Sequence, residues 1–325
     1  MKRNKIVFGL SILSVCSMLL LTDCKKKSNN NSDPVTPDET GQSSTDSRDA
    51  QSENDAAIND INDVISSDVK LSGKSEDAQG TSGSICGLVV DSSLSSTGVI
   101  KLNYIGTTCN NRTRTGSIRL SMLNYALGAR WKNAGTVIKV DYINYKITRA
   151  SDQKSIMLNG TQNLINVSGG TWLNLLVFKN QASLISTVTG TNLNVTWQDG
   201  KTAIYNINRR ITYTIPGNIL TCQAEGIGTN NSLTSLENYG TTRDGDAFTS
   251  QVTTPIIWNL TCGFGAPIQG GLKMKVASKN FDLVCLYGVN SAGTPVTPGS
   301  VTCPFGWKLQ WTLNNASQSK VIAYN

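Results

Sequence analysis

The sequence predicts an all-β protein, an antiparallel meander that closes as a sandwich or as a barrel-like twisted sheet. The first observation behind this prediction is a repeated alternation of apolar and polar residues, which is typical of strands with one face in a core and the other in water. The second is the recurrence of Gly, Asn and Asp turns between these runs, for example Asp199-Gly200. The alternation is clearest in residues 118–122, 138–142, 193–197, 272–276 and 307–313.

The predicted strands fill residues 83–325, a β-rich body long enough for a sizeable core. Pro216-Gly217 marks a point near residue 216 at which this body could divide into two units. Trp197, Trp307 and Trp311 fall on the apolar faces of their strands, so we expect them in the core. The body contains no comparable helical pattern.

Residues 1–23 have the pattern of a lipoprotein signal peptide. A positive segment at residues 2–5 precedes an almost uninterrupted apolar run at residues 6–21, which is short for a membrane span. Cys24 follows at the position where lipoproteins carry an acylated cysteine. The pattern predicts an exported protein held on the outer membrane through lipid on Cys24, with the periplasmic or surface face left open. The alternative is a secreted protein cleaved near Thr22.

Residues 24–82 have the composition of an acidic, low-complexity tether. Residues 28–82 carry twelve acids against three bases and contain no aromatic residue. The little apolar surface it could bury cannot offset the conformational entropy lost on folding, so we expect this tether to be disordered. Repulsion among its acids should keep it extended. One exception is a helical spacing that predicts a short helix, stable only if it docks on the body, with Asp55 as its cap. Its apolar members are Ile58, Ile61, Ile65 and Val69.

The cysteine count is consistent with export. Of eight cysteines, Cys16 would be lost with the signal peptide and Cys24 would be acylated, which leaves six in the body. An even number in an exported protein favours disulfides, although six cysteines allow fifteen pairings and reduced, buried thiols are the alternative. The simplest hypothesis joins neighbours in sequence: Cys86 with Cys109, Cys222 with Cys262, and Cys285 with Cys303.

Several short motifs occur together in the body. Gly106-Thr107-Thr108-Cys109 precedes an Arg-Thr-Arg-x-Gly run at residues 112–116, Gly135 opens a strand, and a Leu-x-Cys lies at residues 260–262. Over residues 85–285, these motifs resemble those of a group of Bacteroidota lipoproteins with a polar tether and a strand-rich body. That group has no established chemistry, so the resemblance implies an envelope lipoprotein and no particular activity.

The body is strongly basic, with twenty Lys and Arg against nine acids. Such an excess predicts a surface for an anionic partner, which could be an acidic glycan, a lipopolysaccharide phosphate or, least expected for an exported protein, a nucleic acid. The alternative is a solvated basic surface that keeps the body off its acidic tether. Trp131 and Trp172 could lie exposed and stack on sugars. The candidate anion- and glycan-binding residues are Arg112, Arg114, Arg119, Arg209, Arg210, Trp131 and Trp172.

The chain contains no histidine, which excludes Ser-His-Asp hydrolysis, Cys-His catalysis and imidazole-bound zinc. Paired carboxylates remain, as in glycoside hydrolysis, and the best candidates are Glu225 and Glu237 with Asp244 and Asp246 as partners. Asp244-Gly245-Asp246 could also hold calcium, although a plain turn is the simpler interpretation. The sequence predicts no cofactor and no metal.

These observations together predict a lipid-anchored, extracytoplasmic protein with a non-catalytic binding or scaffolding role. Its expected partners are the membrane, through the N-terminal lipid, and an anionic glycan or another envelope protein. The first alternative is a surface module that binds glycans or anions, and the second is a glycoside hydrolase that uses a carboxylate pair. The oligomeric state is left open.

Overall fold

The computed structural model describes residues 38–73, 85–263, 266–297, 302–313 and 316–324. The predicted signal peptide, Cys24 and the beginning of the tether lie outside the described residues. Within them, fifteen strands form one antiparallel sheet in a barrel-like arrangement, which confirms the all-β prediction. None of the described helices is both long and apolar enough to cross a membrane.

The helices and strands follow the chain in a simple order. The helices are α1 (Asp38–Ser67), α2 (Val69–Ser72) and α3 (Trp172–Leu176). The strands are β1 (Leu88–Asp91), β2 (Val99–Cys109), β3 (Arg112–Met122), β4 (Thr136–Arg149), β5 (Ser155–Asn166), β6 (Ser183–Trp197), β7 (Thr202–Thr214), β8 (Thr221–Gly226), β9 (Gly228–Asn230), β10 (Leu233–Thr241), β11 (Ala247–Asn259), β12 (Gln269–Val276), β13 (Phe281–Val289), β14 (Gly306–Leu313) and β15 (Ala316–Ala323).

The sheet is a meander in which neighbours in sequence pair with one another. It runs from β1 to β7 and continues from β10 to β15. Two strands, β8 and β10, share the position between β7 and β11. Strand β8 pairs with residues 209–214 of β7, and β10 pairs with residues 204–207 of β7. The sheet therefore continues past residue 216 without a break, and the strands on either side of that point belong to one sheet.

Because consecutive strands alternate in direction, their connections gather at two ends of the sheet. We call one of these the loop end, and it consists of segments 92–98, 123–135, 167–182, 215–220, 260–268 and 290–305, as far as they are described. We call the opposite one the polar end, which includes segments 110–111, 150–154, 198–201, 242–246 and 277–280.

The inner face of the sheet carries the residues that the alternation predicts. Ile118, Leu120 and Ile138 are fully buried, and Trp197 and Trp311 lie in the same core. Their polar neighbours along each strand point outward, as a half-buried strand requires.

Helix α1 covers this inner face. The predicted helix at Ile58, Ile61 and Ile65, which was expected to be stable only when docked on the body, is confirmed, but α1 already begins at Asp38, where the sequence predicts disorder. Ala57, Ile61 and Ile65 of α1 are 0 % exposed and belong to the same core as the strand side chains. The disordered tether is therefore wrong for residues 38–72, and the boundary at residue 83 does not separate tether from core. The composition predicted disorder because an isolated helix has nothing to pack against, whereas this helix has a sheet around it.

Helix α3 covers a second part of the inner face, close to the loop end. Leu175 of α3 packs with Leu220, Cys222 and Trp258 in a separate apolar cluster. These residues come from the loop between β7 and β8 and from β8 and β11, so α3 closes the sheet where α1 no longer covers it.

Two disulfides join described residues. Cys86 bonds to Cys109, as predicted, and Cys262 bonds to Cys303. Neighbours in sequence are not always neighbours in space, because segments 260–268 and 290–305 meet at the loop end while β8 and β13 point their cysteines into the core. The predicted pairs Cys222–Cys262 and Cys285–Cys303 are wrong, and Cys222 and Cys285 are buried thiols.

Candidate functional site

Three of the five arginines predicted to bind an external anion point at the protein's own acidic helix. They lie on the inner face of β3 and β7, opposite carboxylates of α1. The basic body and the acidic tether are therefore partners in one structure, and the prediction of an external anion site is wrong for these three residues. With Arg243, the ion pairs are Arg112–Glu53 (3.3 Å), Arg114–Asp60 (2.7 Å), Arg209–Asp55 and Arg243–Asp46 (3.4 Å).

Arg209 is the centre of the most enclosed of these ion-pair networks. It contacts Asp55, and its Nε lies 3.8 Å from Oε2 of Glu237, a residue that is 3 % exposed. Burial raises the pKa of the Glu237 carboxyl, and the charge of Arg209 opposes that rise. Burial alone would lower the pKa of Arg209, whereas the carboxylates of Asp55 and Glu237 raise it above its ordinary value.

The space beside this network is too small for a substrate. A cavity of about 10 Å³ lies between α1 and the sheet, lined by Gln51, Asn54 and Arg209 among others. That volume holds no more than one water molecule. Glu237 is therefore enclosed in packed protein, and its role there is to neutralise Arg209.

The carboxylates proposed for glycoside hydrolysis do not form a usable pair. Glu225 lies on β8 opposite Arg210, on the outer face, whereas Glu237 is buried on the inner face. A retaining or inverting glycosidase needs its two carboxyl groups on either side of one sugar bond. Two groups on opposite faces of a sheet cannot meet that requirement.

Asp244 and Asp246 lie at the polar end with a lysine between them. Lys279 Nζ is 3.2 Å from a carboxylate oxygen of each, and Lys201 Nζ is 2.9 Å from Asp244. The hydrogen bonds from Lys201 and Lys279 lower the pKa of Asp244, whereas a general acid needs a raised pKa. Lys279 also places a positive charge between the two carboxylates, which opposes the binding of a cation there, and the described residues contain no group of three or more potential metal ligands.

The other two predicted arginines are exposed on the outer face. Arg119 of β3 lies opposite Asp141 of β4, and Arg210 of β7 lies opposite Glu225 of β8. Directly opposite residues on neighbouring strands are close enough for their charges to interact. Arg119 and Arg210 are therefore separate surface charges, each with an acid beside it, and they do not form one basic patch.

The two tryptophans predicted to bind sugars are both partly buried. Trp131 packs against the main core, and its backbone N–H donates to the carbonyl oxygen of Leu71 at 2.8 Å. The ring of Trp172 meets the ring of Tyr213 edge to face at 4.7 Å. Both side chains are used in packing and are only partly exposed.

The loop end is a surface that the sequence reasoning missed. Among the described residues, fourteen large apolar side chains are exposed, and nine of them lie in the segments of the loop end. Leu127 is 84 % exposed and Phe178 is 64 % exposed. The nine residues are Leu94, Leu123, Leu127, Val167, Val177, Phe178, Ile219, Leu260 and Phe305.

The charges of the loop end are all of one sign. Its six segments contain Arg130, Lys132 and Lys179 and no acid. Arg130 Nη1 donates to the carbonyl oxygen of Ala129 at 2.7 Å, Lys132 Nζ donates to a backbone carbonyl oxygen, and Lys179 Nζ donates to an amide oxygen at 3.0 Å. These acceptors are neutral, so they position the three cations without cancelling their charge.

The polar end has the opposite character. Its segments contain four acids and four bases, joined by ion pairs such as Arg243–Asp199 at 2.6 Å. None of the exposed large apolar side chains among the described residues lies in those segments. The sheet is therefore amphipathic from one end to the other, with an apolar and cationic loop end and a charge-balanced polar end.

An open groove of about 370 Å³ lies within the loop end, along segment 123–135 and the start of β4. Apolar Leu123, Leu127 and Val137 line it together with Asn124 and Asn133. The alternation pattern could not reveal this surface, because it describes strands. The lack of acids in the connecting segments is visible in the sequence, but only the strand order places those segments at one end.

No protein-family model, no curated protein and no solved structure matches this chain.

Proposed function

We propose that this protein is a lipid-anchored outer-membrane protein of the Bacteroidota lipoprotein type that binds or scaffolds without catalysing a reaction, and that the loop end is its binding surface. The single observation that carries the proposal is the concentration of exposed apolar side chains at that end. Contiguous apolar surface on a folded protein marks a site of interaction. The polar end has the ordinary balance of charges expected of a solvated surface.

Helix α1 and the following α2 run from the polar end to the loop end. Asp46, near the start of α1, pairs with Arg243 of the polar end, whereas Leu71 of α2 bonds to segment 123–135 of the loop end. The 30 residues of α1 span about 45 Å. The lipid-bearing Cys24 of the proposal precedes the end of α1 that lies at the polar end.

The alternatives have less support from the arrangement of side chains. A glycoside hydrolase would need a carboxylate pair in an open cleft, and the candidate carboxylates are separated by the sheet or bridged by lysine. An anion-binding module would need several unneutralised arginines on one surface, and Arg112, Arg114 and Arg209 face the carboxylates of α1.

Photo-crosslinking in native membranes tests the assignment of the binding surface. A benzophenone amino acid at Leu127 reports on the loop end, and one at Ile105 is the matched control, since Ile105 is 64 % exposed on β2 outside the loop end. We expect adducts from position 127 and few from position 105. Equal labelling at the two positions, or none at position 127, would contradict the proposal.

A further inference from the structure

We propose that the loop end docks on an anionic lipid bilayer, with its apolar side chains at the boundary between headgroups and acyl chains and its cations among the headgroups. This inference rests on the proposed function, because it names the partner of the same surface. It adds a second membrane contact to the one proposed for Cys24, and that contact requires no acyl group.

The distribution of the apolar side chains favours an extended surface as the partner. Each of the six segments of the loop end contributes at least one exposed large apolar side chain. A small ligand would be bound by side chains that converge on one pocket. Side chains spread over every connection at one end of a sheet instead suit a partner that is continuous in two dimensions, as a bilayer is.

The charges favour an anionic bilayer in particular. Arg130, Lys132 and Lys179 lie in the two segments that also carry Leu127 and Phe178, the most exposed apolar residues of the loop end. The nearby Asp91, directly before segment 92–98, accepts a hydrogen bond from the amide of Ser93 at 3.0 Å. Apolar side chains combined with basic residues and few acids are typical of surfaces that bind anionic lipid.

Vesicle flotation of the chain from residue 24 onward, carrying Cys24→Ser, tests the proposal without an acyl group. The vesicles are phosphatidylcholine alone or phosphatidylcholine mixed with phosphatidylglycerol. We expect flotation with the anionic vesicles and at least tenfold weaker binding to the neutral ones, because charge and apolar surface act together. If this Cys24→Ser chain, with its loop end unaltered, binds neither kind of vesicle, the inference is overturned.

Two sets of substitutions locate the binding surface. Leu127→Ser with Phe178→Ser should weaken vesicle binding by roughly 10- to 100-fold, since both side chains lose the apolar burial that insertion provides. The matched control is Ile105→Ser with Leu233→Ser, which are exposed outside the loop end and should change binding less than about twofold. Near-ultraviolet circular dichroism identifies any variant that fails to fold, and equal affinity of the two double variants would overturn the inference.

Replacing the three cations separates lipid from protein as the partner. The triple variant Arg130→Gln, Lys132→Gln and Lys179→Gln should lose the preference for anionic vesicles, a loss of about tenfold or more. If crosslinks from position 127 instead lead to a protein, and vesicles bind neither wild type nor variants, the bilayer proposal is wrong while the loop end remains the binding surface. If position 127 gives no crosslink at all, the proposed function itself fails.

Discussion

Replacing Arg209 with methionine tests the account of how α1 is held inside the sheet. The change leaves the Glu237 carboxyl 3 % exposed, without the guanidinium 3.8 Å away. Removing one partner of a buried ion pair costs about 3–5 kcal/mol, because the remaining charge is desolvated and uncompensated. The side chain of Asp55 is 24 % exposed, so water can replace its lost contact and it adds little to that cost. We expect the free energy of unfolding in urea at pH 8 to fall by about 3–5 kcal/mol.

The adjacent arginine provides a matched control for this experiment. Arg210 has the same side chain but lies exposed on the outer face, opposite Glu225. Arg210→Met should change the free energy of unfolding by no more than about 0.5 kcal/mol. Adding Glu237→Gln to Arg209→Met removes the unpaired carboxyl and should recover about 2 kcal/mol at pH 8.

The effect of Arg209→Met should also depend on pH. Burial already raises the pKa of Glu237, and without Arg209 that pKa rises further. The native variant then retains a proton that the unfolded chain has released, so its stability falls as pH rises above the ordinary pKa of a glutamate. The destabilisation should be smaller at pH 5 than at pH 8. A loss equal to that of Arg210→Met, or one that is larger at pH 5, would refute the reasoning.

Three further predictions concern a glycine, a disulfide and a titrating acid. Gly116→Ala would place a Cβ 2.0 Å from a backbone oxygen of β4, whereas Gly200→Ala also has a positive φ but no clash. In urea unfolding, Gly116→Ala should therefore lower the free energy of unfolding by at least about 2 kcal/mol more than Gly200→Ala does. Peptide mapping should find Cys262 joined to Cys303, and replacing both with serine should cost about 4 kcal/mol; a peptide linking Cys262 to any other cysteine would contradict this. Burial raises the pKa of Asp63 from its ordinary value to about 6. Asp63 therefore binds a proton more tightly in the native state than in the unfolded chain, and stability falls as the pH rises from the ordinary pKa of an aspartate to about 6. Asp63→Asn should therefore stabilise the protein at pH 7 by about 1 kcal/mol after solvent screening and change little at pH 4, and a uniform effect across that range would count against it.

Much of the fold could be predicted because alternation is a local signal. The apolar members of the runs at residues 118–122 and 138–142 are buried, as their spacing requires. The same spacing places Arg112 and Arg114 on the inner face with Ile118, and Arg209 with Ile207. The alternation therefore indicates that these arginines point inward, whereas the excess of basic residues alone suggests a surface site.

The full extent of the helix inside the sheet could not be predicted from local composition, since only Ile58, Ile61 and Ile65 within it have a helical apolar spacing. Its stability depends on partners far along the chain, such as Tyr142, whose hydroxyl donates to Asn54 at 2.9 Å, and Arg114, which pairs with Asp60. Composition rules count only the apolar surface that a segment itself carries. The opposite net charges of tether and body are visible in the sequence, but net charge alone does not distinguish attraction between these two parts from attraction of the body to an external partner.

The loop end depends on topology for the same reason. Leu127 and Phe178 are 51 residues apart in sequence, and each is unremarkable as a single exposed apolar residue. Only the antiparallel order of the strands brings segments 123–135 and 167–182 to one end of the sheet. The disulfide between Cys262 and Cys303 joins segments of that end in the same way.

The intact mass of the protein from native membranes, measured with and without reduction, tests the proposed anchor and the oxidised framework most directly. We predict an acylated Cys24 as the first residue, and a gain of four hydrogens on reduction, two for each disulfide. A chain without acyl mass would contradict the lipid anchor and the proposed location. A gain of six hydrogens would mean that Cys222 and Cys285 are oxidised as well, against the structure, and no gain would place the protein outside an oxidising compartment.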